Sequence, residues 1–312
     1  MIRIKNILAA QDFSDCSRHA LEAAIRMAAA TGAKLHVVYV QLLHDEPFTP
    51  TLAKEHQDRI RDAVRSSVAD RFKQVGDIDL EYDTLRDVSA APALVRYAEA
   101  NDIDLMVVGT HGRRGLRRLM LGSVAEEAVR TAPCPVLTVH QRDTVDVLTP
   151  GPNAEILLPL DFSSRSLEVI PTARQLAAAT GARLRVMHVV EEVVHPAFYN
   201  AGAYSIYDLQ PDVEERALEH LRKAYSKAHG PAVPVVFEVR VGHPAAEIVE
   251  SAHENGDGMI VMATHGLTGL GHVLMGSEAE RVVRTATCPV LTIRTMPLPE
   301  IASLTSHELA EV

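Results

Sequence analysis

The sequence predicts an α/β protein of two tandem, open, five-stranded parallel-sheet domains with helices on both faces, on the strength of its length, an internal repeat and the alternation of strand-like and helix-like runs. At 312 residues the chain exceeds one ordinary domain and suits two, at about 150 residues each. Ile7-Leu8 through Asp12-Phe13-Ser14 returns as Ile156-Leu157 through Asp161-Phe162-Ser163, an offset of 149. At the same offset, the run from Ala28 to Leu35 (AAATGAKL) returns from Ala177 to Leu184 (AAATGARL). Order and chemistry recur together, which marks a repeated structural unit. Thr110-His111-Gly112 matches Thr264-His265-Gly266, and Cys134-Pro135-Val136-Leu137-Thr138 matches Cys288-Pro289-Val290-Leu291-Thr292, now at an offset of 154. The second half therefore holds five extra residues between about Val190 and Val241, where Phe198, Tyr199, Tyr204 and Tyr207 crowd together. Such a stretch is either a lid over a ligand or a surface loop packing its own rings.

In the first half, β-branched runs predict a strand over 3–10, a helix over 17–31, a strand over 34–40 and a helix over 52–75 with Ile60, Val64, Val68 and Phe72 on one face. A strand near 78–85, a helix over 91–101, a strand over 104–109, a glycine-bearing loop, a helix over 123–131 and a strand over 135–140 complete the unit. Both halves give this pattern. Strict βα alternation requires right-handed crossovers and places a ligand at the C-terminal strand ends, near a topological switch point. The domains are expected at 1–141 and 154–295, with a linker over 142–153 containing Pro150-Gly151-Pro152 and a tail over 296–312.

Composition narrows the function. A formal net charge of -10 disfavours a polyanion, so no nucleic-acid partner is expected. No apolar run reaches the roughly 18 residues of a membrane span, and the N-terminus lacks the apolar core of a secretory signal, so no membrane partner and a cytoplasmic location are expected. Cys16, Cys134 and Cys288 are odd in number and far apart, which offers neither a disulfide framework nor a metal motif. The fifteen histidines fall into no ligand spacing, so no protein-held metal is expected.

The segment that speaks most of chemistry is Gly109-Thr110-His111-Gly112, nine residues from Arg113 to Leu121, and then Gly122-Ser123 opening a helix. Glycine at a strand end lets a ligand approach the main chain, and a glycine before a helix exposes N–H groups at its positive end, together a phosphate cradle. Ser123 can donate to a phosphate oxygen, or form an S-x-x-E capping box with Glu126 that needs no ligand; both readings stand. Arg113, Arg114, Arg117 and Arg118 make this loop basic, suited to phosphate or simply solvated. The second loop has Leu267, Thr268, Leu270 and Gly271 in the corresponding stretch. His111 and His265 sit beside the cradle, to meet phosphate or to fix the loop.

The spacing G-x-x-G-x9-G-S resembles the nucleotide-binding signature of the ATP-binding branch of the universal stress proteins, and the chain is similar to that family over both repeats. The resemblance implies the adenine nucleotide alpha hydrolase-like, Rossmann-like fold and an adenine nucleotide partner, ATP with Mg2+. It implies that Asp12 faces the nucleotide, that main-chain groups of Val40 meet the adenine, and that Gly109, His111, Gly112, Arg113, Gly122, Ser123 and Val124 surround ribose and phosphates. In the second half the same places hold Asp161, Val189, Ala263, His265, Gly266, Gly276, Ser277 and Glu278. Two of these depart from the first half. Ala263 replaces the first glycine, to be accommodated on extended backbone or to crowd the sugar, and Glu278 brings a carboxylate toward the phosphates where the first half has Val124. The resemblance also implies that the last strands, near 135–140 and 289–294, pair with each other, while a homodimer of whole chains is left open.

No G-x-S-x-G elbow, G-x-x-x-x-G-K-[ST] loop or S-G-G-x-D-S motif accompanies the loop, so no catalytic residue is assigned and efficient turnover is not expected. The leading expectation is a nucleotide-dependent sensor or regulator in stress response, with at most slow ATP hydrolysis or self-phosphorylation. The alternative is an interaction scaffold of the same fold that binds no nucleotide.

Overall fold

The computed structural model describes residues 4–45, 78–110, 121–140, 154–192, 211–264 and 275–294, with a few helical positions between 51 and 62. The first half runs β1 (Asn6–Gln11), α1 (Asp15–Thr31), β2 (Lys34–Leu42), β3 (Leu80–Asp87), α2 (Ala90–Ala100), β4 (Leu105–Gly109), α3 (Ser123–Thr131) and β5 (Val136–Val139). The second runs β6 (Glu155–Pro159), α4 (Ser164–Leu167), α5 (Ile170–Thr180), β7 (Arg183–Glu191), α6 (Val213–Lys227), β8 (Val235–Gly242), α7 (Pro244–Asn255), β9 (Met259–Ala263), α8 (Ser277–Thr285) and β10 (Val290–Ile293). Most of the expected helix over 52–75, the linker over 142–153, the aromatic stretch at 198–207 and the tail over 296–312 lie outside the described residues.

Among the described residues all strands belong to one sheet, in the order β3-β2-β1-β4-β5-β10-β9-β6-β7-β8. Within each half every pairing is parallel, as the expected crossovers require, and the halves join where β5 and β10 run antiparallel. Thus the two five-stranded sheets are one continuous surface. Its centre is the register Val290↔Thr138, Leu291↔Leu137, Thr292↔Val136, the strand pairing that the family resemblance implies. β1 and β6 are the turning points of the strand order, because each half builds outward from them in both directions. Among the described residues no helix is long and apolar enough to cross a membrane.

Local rules explain the helix limits. Ser14 caps α1 by accepting the Ser17 N–H at 3.2 Å, and Gly32, at φ 69°, ends it in the left-handed region that glycine adopts without steric cost. Gly181 does the same for α5 at φ 69°. The repeat is not perfect here. Where α1 is continuous, its counterpart stops at Leu167 and restarts at Ile170, with Pro171 in the first turn of α5, the one part of a helix where a missing N–H is harmless.

The second half also carries a buried charge cluster at the N-terminal strand ends. Arg185 pairs with Glu155 and lies 3.5 Å from Glu238 and 3.6 Å from Asp257, while Arg183 reaches Glu155 at 2.6 Å. The aligned first-half places of Glu155, Arg183 and Arg185 hold Asn6, Lys34 and His36, so this cluster belongs to one copy only. The Asp257 side chain is fully buried, and desolvation pushes its carboxyl from 3.8 up to about 7; Arg185 opposes the shift, and Glu155 and Glu238 add to it. A carboxyl that keeps its proton in the fold and loses it on unfolding favours the native state at low pH. Its stabilising contribution is complete below about 3.8 and vanishes as the pH rises through about 7. Urea titrations at pH 5 and pH 8 should therefore show Asp257→Asn losing less stability over that interval than the wild type. Equal losses would show that Asp257 takes up no proton on folding.

Candidate functional site

The C-terminal ends of β1 and β4 lie side by side, and there the strand order reverses. A crevice at such a point is where open parallel sheets present main-chain groups to a ligand. β1 ends at Gln11, opposite Tyr39, so β2 continues past it with Val40 and Gln41. The Val40 side chain is buried, which leaves its main chain as the part a ligand can meet. Asp12 follows β1 directly. Its carboxylate accepts the Ser14 N–H at 2.9 Å, closing a tight turn that forces Phe13 into the left-handed region at φ 65°. A bulky residue there costs on the order of 1–3 kcal/mol and persists only where the surroundings hold it.

The second half repeats the turn. Asp161 accepts the Ser163 N–H at 3.0 Å and its hydroxyl at 2.6 Å, and Phe162 stands at φ 62°. Each ring is tied to the strand that carries the expected adenine contact: Phe13 packs on Tyr39 with centroids 5.2 Å apart, and Phe162 on His188 at 4.2 Å. Tyr39 and His188 immediately precede Val40 and Val189. Burial pulls the His188 pKa down, and its Nδ1–H donates to the Leu160 carbonyl at 2.7 Å. Sequence reasoning missed Phe13 and Phe162 as turn determinants. The repeated Asp-Phe-Ser was visible, whereas the backbone conformation it adopts was not.

The glycine loop is pinched at its base. Thr110 follows β4 and is buried; its N–H donates to Val139 at 2.9 Å, and its carbonyl accepts the Gly122 N–H at 2.7 Å. Thr264, Ile293 and Gly276 repeat this at 3.1 and 2.8 Å. Gly122 is the N-cap of α3, at φ −66° and ψ 144°, and no side chain caps the helix. Ser123 is therefore the first helical residue and is exposed, so the capping-box reading does not hold. The first-turn amides of α3 open onto the same sheet end as Asp12 and Val40. Val124 packs its side chain into the core of the first half, leaving only its main chain to the site. His111, Gly112, Arg113, Arg114, Arg117 and Arg118, like His265 and Gly266, lie outside the described residues.

Two departures take on a physical meaning. A Cβ on Gly109 would stand 2.8 Å from the carbonyl carbon of Cys16 and 3.0 Å from its oxygen, so close packing against α1 already requires a glycine there. Ala263 is buried at the end of β9 without positive φ, so ordinary strand geometry accommodates its methyl, in the half whose first helix is broken. Glu278 is held elsewhere than expected: Oε2 accepts the Ala245 N–H at 2.9 Å, capping the N-terminus of α7, which has no cap of its own. Cys16 and Cys134 are buried, and burial pushes the Cys134 thiol up to about 12, which keeps it protonated and unreactive. What the described residues bring together is a helix start without a side-chain cap, at Gly122, beside the strand ends of β1 and β4.

Residues 3–140 and 153–294 each match the model of the universal stress protein family. The chain belongs to the universal stress protein family. It is a tandem member, and a stress-response function follows from that membership. It is 28% identical over 250 residues to a universal stress protein of Mycobacterium tuberculosis, covering 80% of this chain and 81% of that one. It is 37% identical over 141 residues to one of Methanocaldococcus jannaschii, covering 45% of this chain and 81% of the relative. The crystal structure of a universal stress protein from Archaeoglobus fulgidus superposes with a TM-score of 0.65 at 19% identity, over 94% of this chain and 99% of that one, and so shares its fold.

Proposed function

We propose that this universal stress protein binds ATP, with magnesium carried on the nucleotide phosphates, and acts as a nucleotide-dependent sensor or regulator with at most slow hydrolysis or self-phosphorylation. The observation that carries this reading is the uncapped N-terminus of α3 at Gly122, facing the crevice where β1 and β4 part. Main-chain amides at a helix start favour phosphate both by hydrogen bonding and by the helix dipole. On this reading Asp12 and Val40 receive ribose and adenine, and Gly109, His111, Gly112, Arg113, Gly122, Ser123 and Val124 line the remainder of the first site. Asp161, Val189, Ala263, His265, Gly266, Gly276, Ser277 and Glu278 line the second, with Glu278 acting through its hold on α7 rather than on phosphate. The cytoplasm, which holds the ATP pool and keeps thiols reduced, is the compartment this reading implies.

Thermal melts with and without Mg-ATP test the reading, together with chromatography and mass spectrometry of small molecules released on denaturing the purified chain. The expected result is a rise in melting temperature that grows with ATP concentration. No rise and no released nucleotide would leave the protein as an interaction scaffold.

A further inference from the structure

On one face of the sheet the core runs unbroken between the halves, with Leu137, Val139, Leu291 and Ile293 joining side chains of α1 and α5. On the face that carries α2, α3, α7 and α8 it is divided. One core gathers around Met106, Val108 and Val136, the other around Ile260, Met262 and Val290. At the seam stand Thr138 and Thr292, both buried, each donating its hydroxyl across the joint: Thr138 Oγ1 to the Val290 carbonyl and Thr292 Oγ1 to the Val136 carbonyl, both at 3.1 Å. Among the described residues, Leu121 and Met275 alone pack against both of these cores. Their place in the chain gives the contact its meaning. Leu121 immediately precedes Gly122 and Met275 immediately precedes Gly276, the two N-cap residues whose amides close the loop bases on Thr110 and Thr264.

The geometry points to Leu121 and Met275 as reciprocal positioning residues: each glycine-loop base is held in part by the core of the opposite half, so the two loops are set as a pair. Leu121 and Met275 fill the same two cores, so truncating one leaves a void in the packing that restrains the backbone bearing the other, whose next peptide carries the amides of the opposite helix start. Truncation to alanine withdraws that restraint without touching any residue assigned to a ligand. The pairing would couple the affinities of the two sites, a consequence that rests on the nucleotide reading, whereas the positioning itself does not.

Amide hydrogen exchange on the full chain tests it. In Met275→Ala the Gly122 amide, in the other half, should exchange about tenfold faster or more, and in Leu121→Ala the Gly276 amide should respond likewise. Met275→Leu and Leu121→Met should restore protection, and amides in the middle of β1 and β6 should keep their rates. If each alanine variant speeds only the glycine beside it, or speeds all amides alike, the pairing is wrong. An ATP titration of the same variants separates the two claims. Cross-half exchange without ATP binding removes the nucleotide reading and leaves the positioning; ATP binding without cross-half exchange does the reverse.

Discussion

Gly122→Leu should abolish nucleotide binding by the first half and leave the ligand-free melting temperature within a few degrees of the wild type. Gly122 sits at φ −66° and ψ 144°, backbone that any residue adopts, so the substitution introduces no main-chain strain. A leucine side chain at the N-cap would instead stand where a phosphate must approach the first-turn amides. Ligand at 100 times its dissociation constant stabilises a site by about 2.7 kcal/mol, and that increment is what the variant should lose. Gly276→Leu makes the parallel test of the second half, since its backbone is nearly the same at φ −62° and ψ 144°. Calorimetric stoichiometry should fall from two to one in either single variant and to zero in the double. An unchanged stoichiometry in all three would remove these loops as the site.

Gly109→Ala should destabilise the protein by about 1–3 kcal/mol even without ligand, the usual cost of forcing an atom into a packed interior. The atoms in the way are the main-chain carbon and oxygen of Cys16, at 2.8 and 3.0 Å, and no rotamer change can clear them. α1 itself would have to shift. Ala263→Gly is the converse: it meets no main-chain clash and should cost roughly 0.5–1 kcal/mol of added glycine freedom plus about 0.8 kcal/mol for the buried methyl it removes. Urea midpoints of the two variants measure the difference directly. A neutral Gly109→Ala would mean that the first turn of α1 gives way freely, and the glycine would then have to be explained by ligand approach alone.

These two glycines show how far letters reach. The spacing of Gly109, Gly122 and Ser123 was plain in the sequence, and so was its place between a strand and a helix. The reason for each glycine was not, because the neighbour of Gly109 is Cys16, far off in the chain, and the neighbour of Gly122 is Thr110 across a loop. Glu278 makes the same point. A carboxylate two residues after a helix-starting glycine suggested repulsion of phosphate, but its partner is the Ala245 amide on a different helix. Ser123 and Glu126 spelled a capping box, yet the helix begins one residue earlier than the box requires. Asp257 gave no signal at all, since its raised pKa comes from burial and from Arg185, Glu155 and Glu238, which the fold gathers from three strands.

By itself the sequence determined the repeat, the α/β alternation and, among the described residues of the first half, the strand and helix limits to within a few residues, because periodicity, caps and turn chemistry act between residues close in the chain. Only the tertiary structure decided the antiparallel register in which β5 and β10 join the sheets, that Phe13 and Phe162 take left-handed turns, that Glu278 caps α7 and that Leu121 and Met275 bridge two cores. Each of those depends on which distant groups meet. That is settled by packing across the β5–β10 seam and between helices, where hydrogen bonding and burial join residues that no local pattern relates.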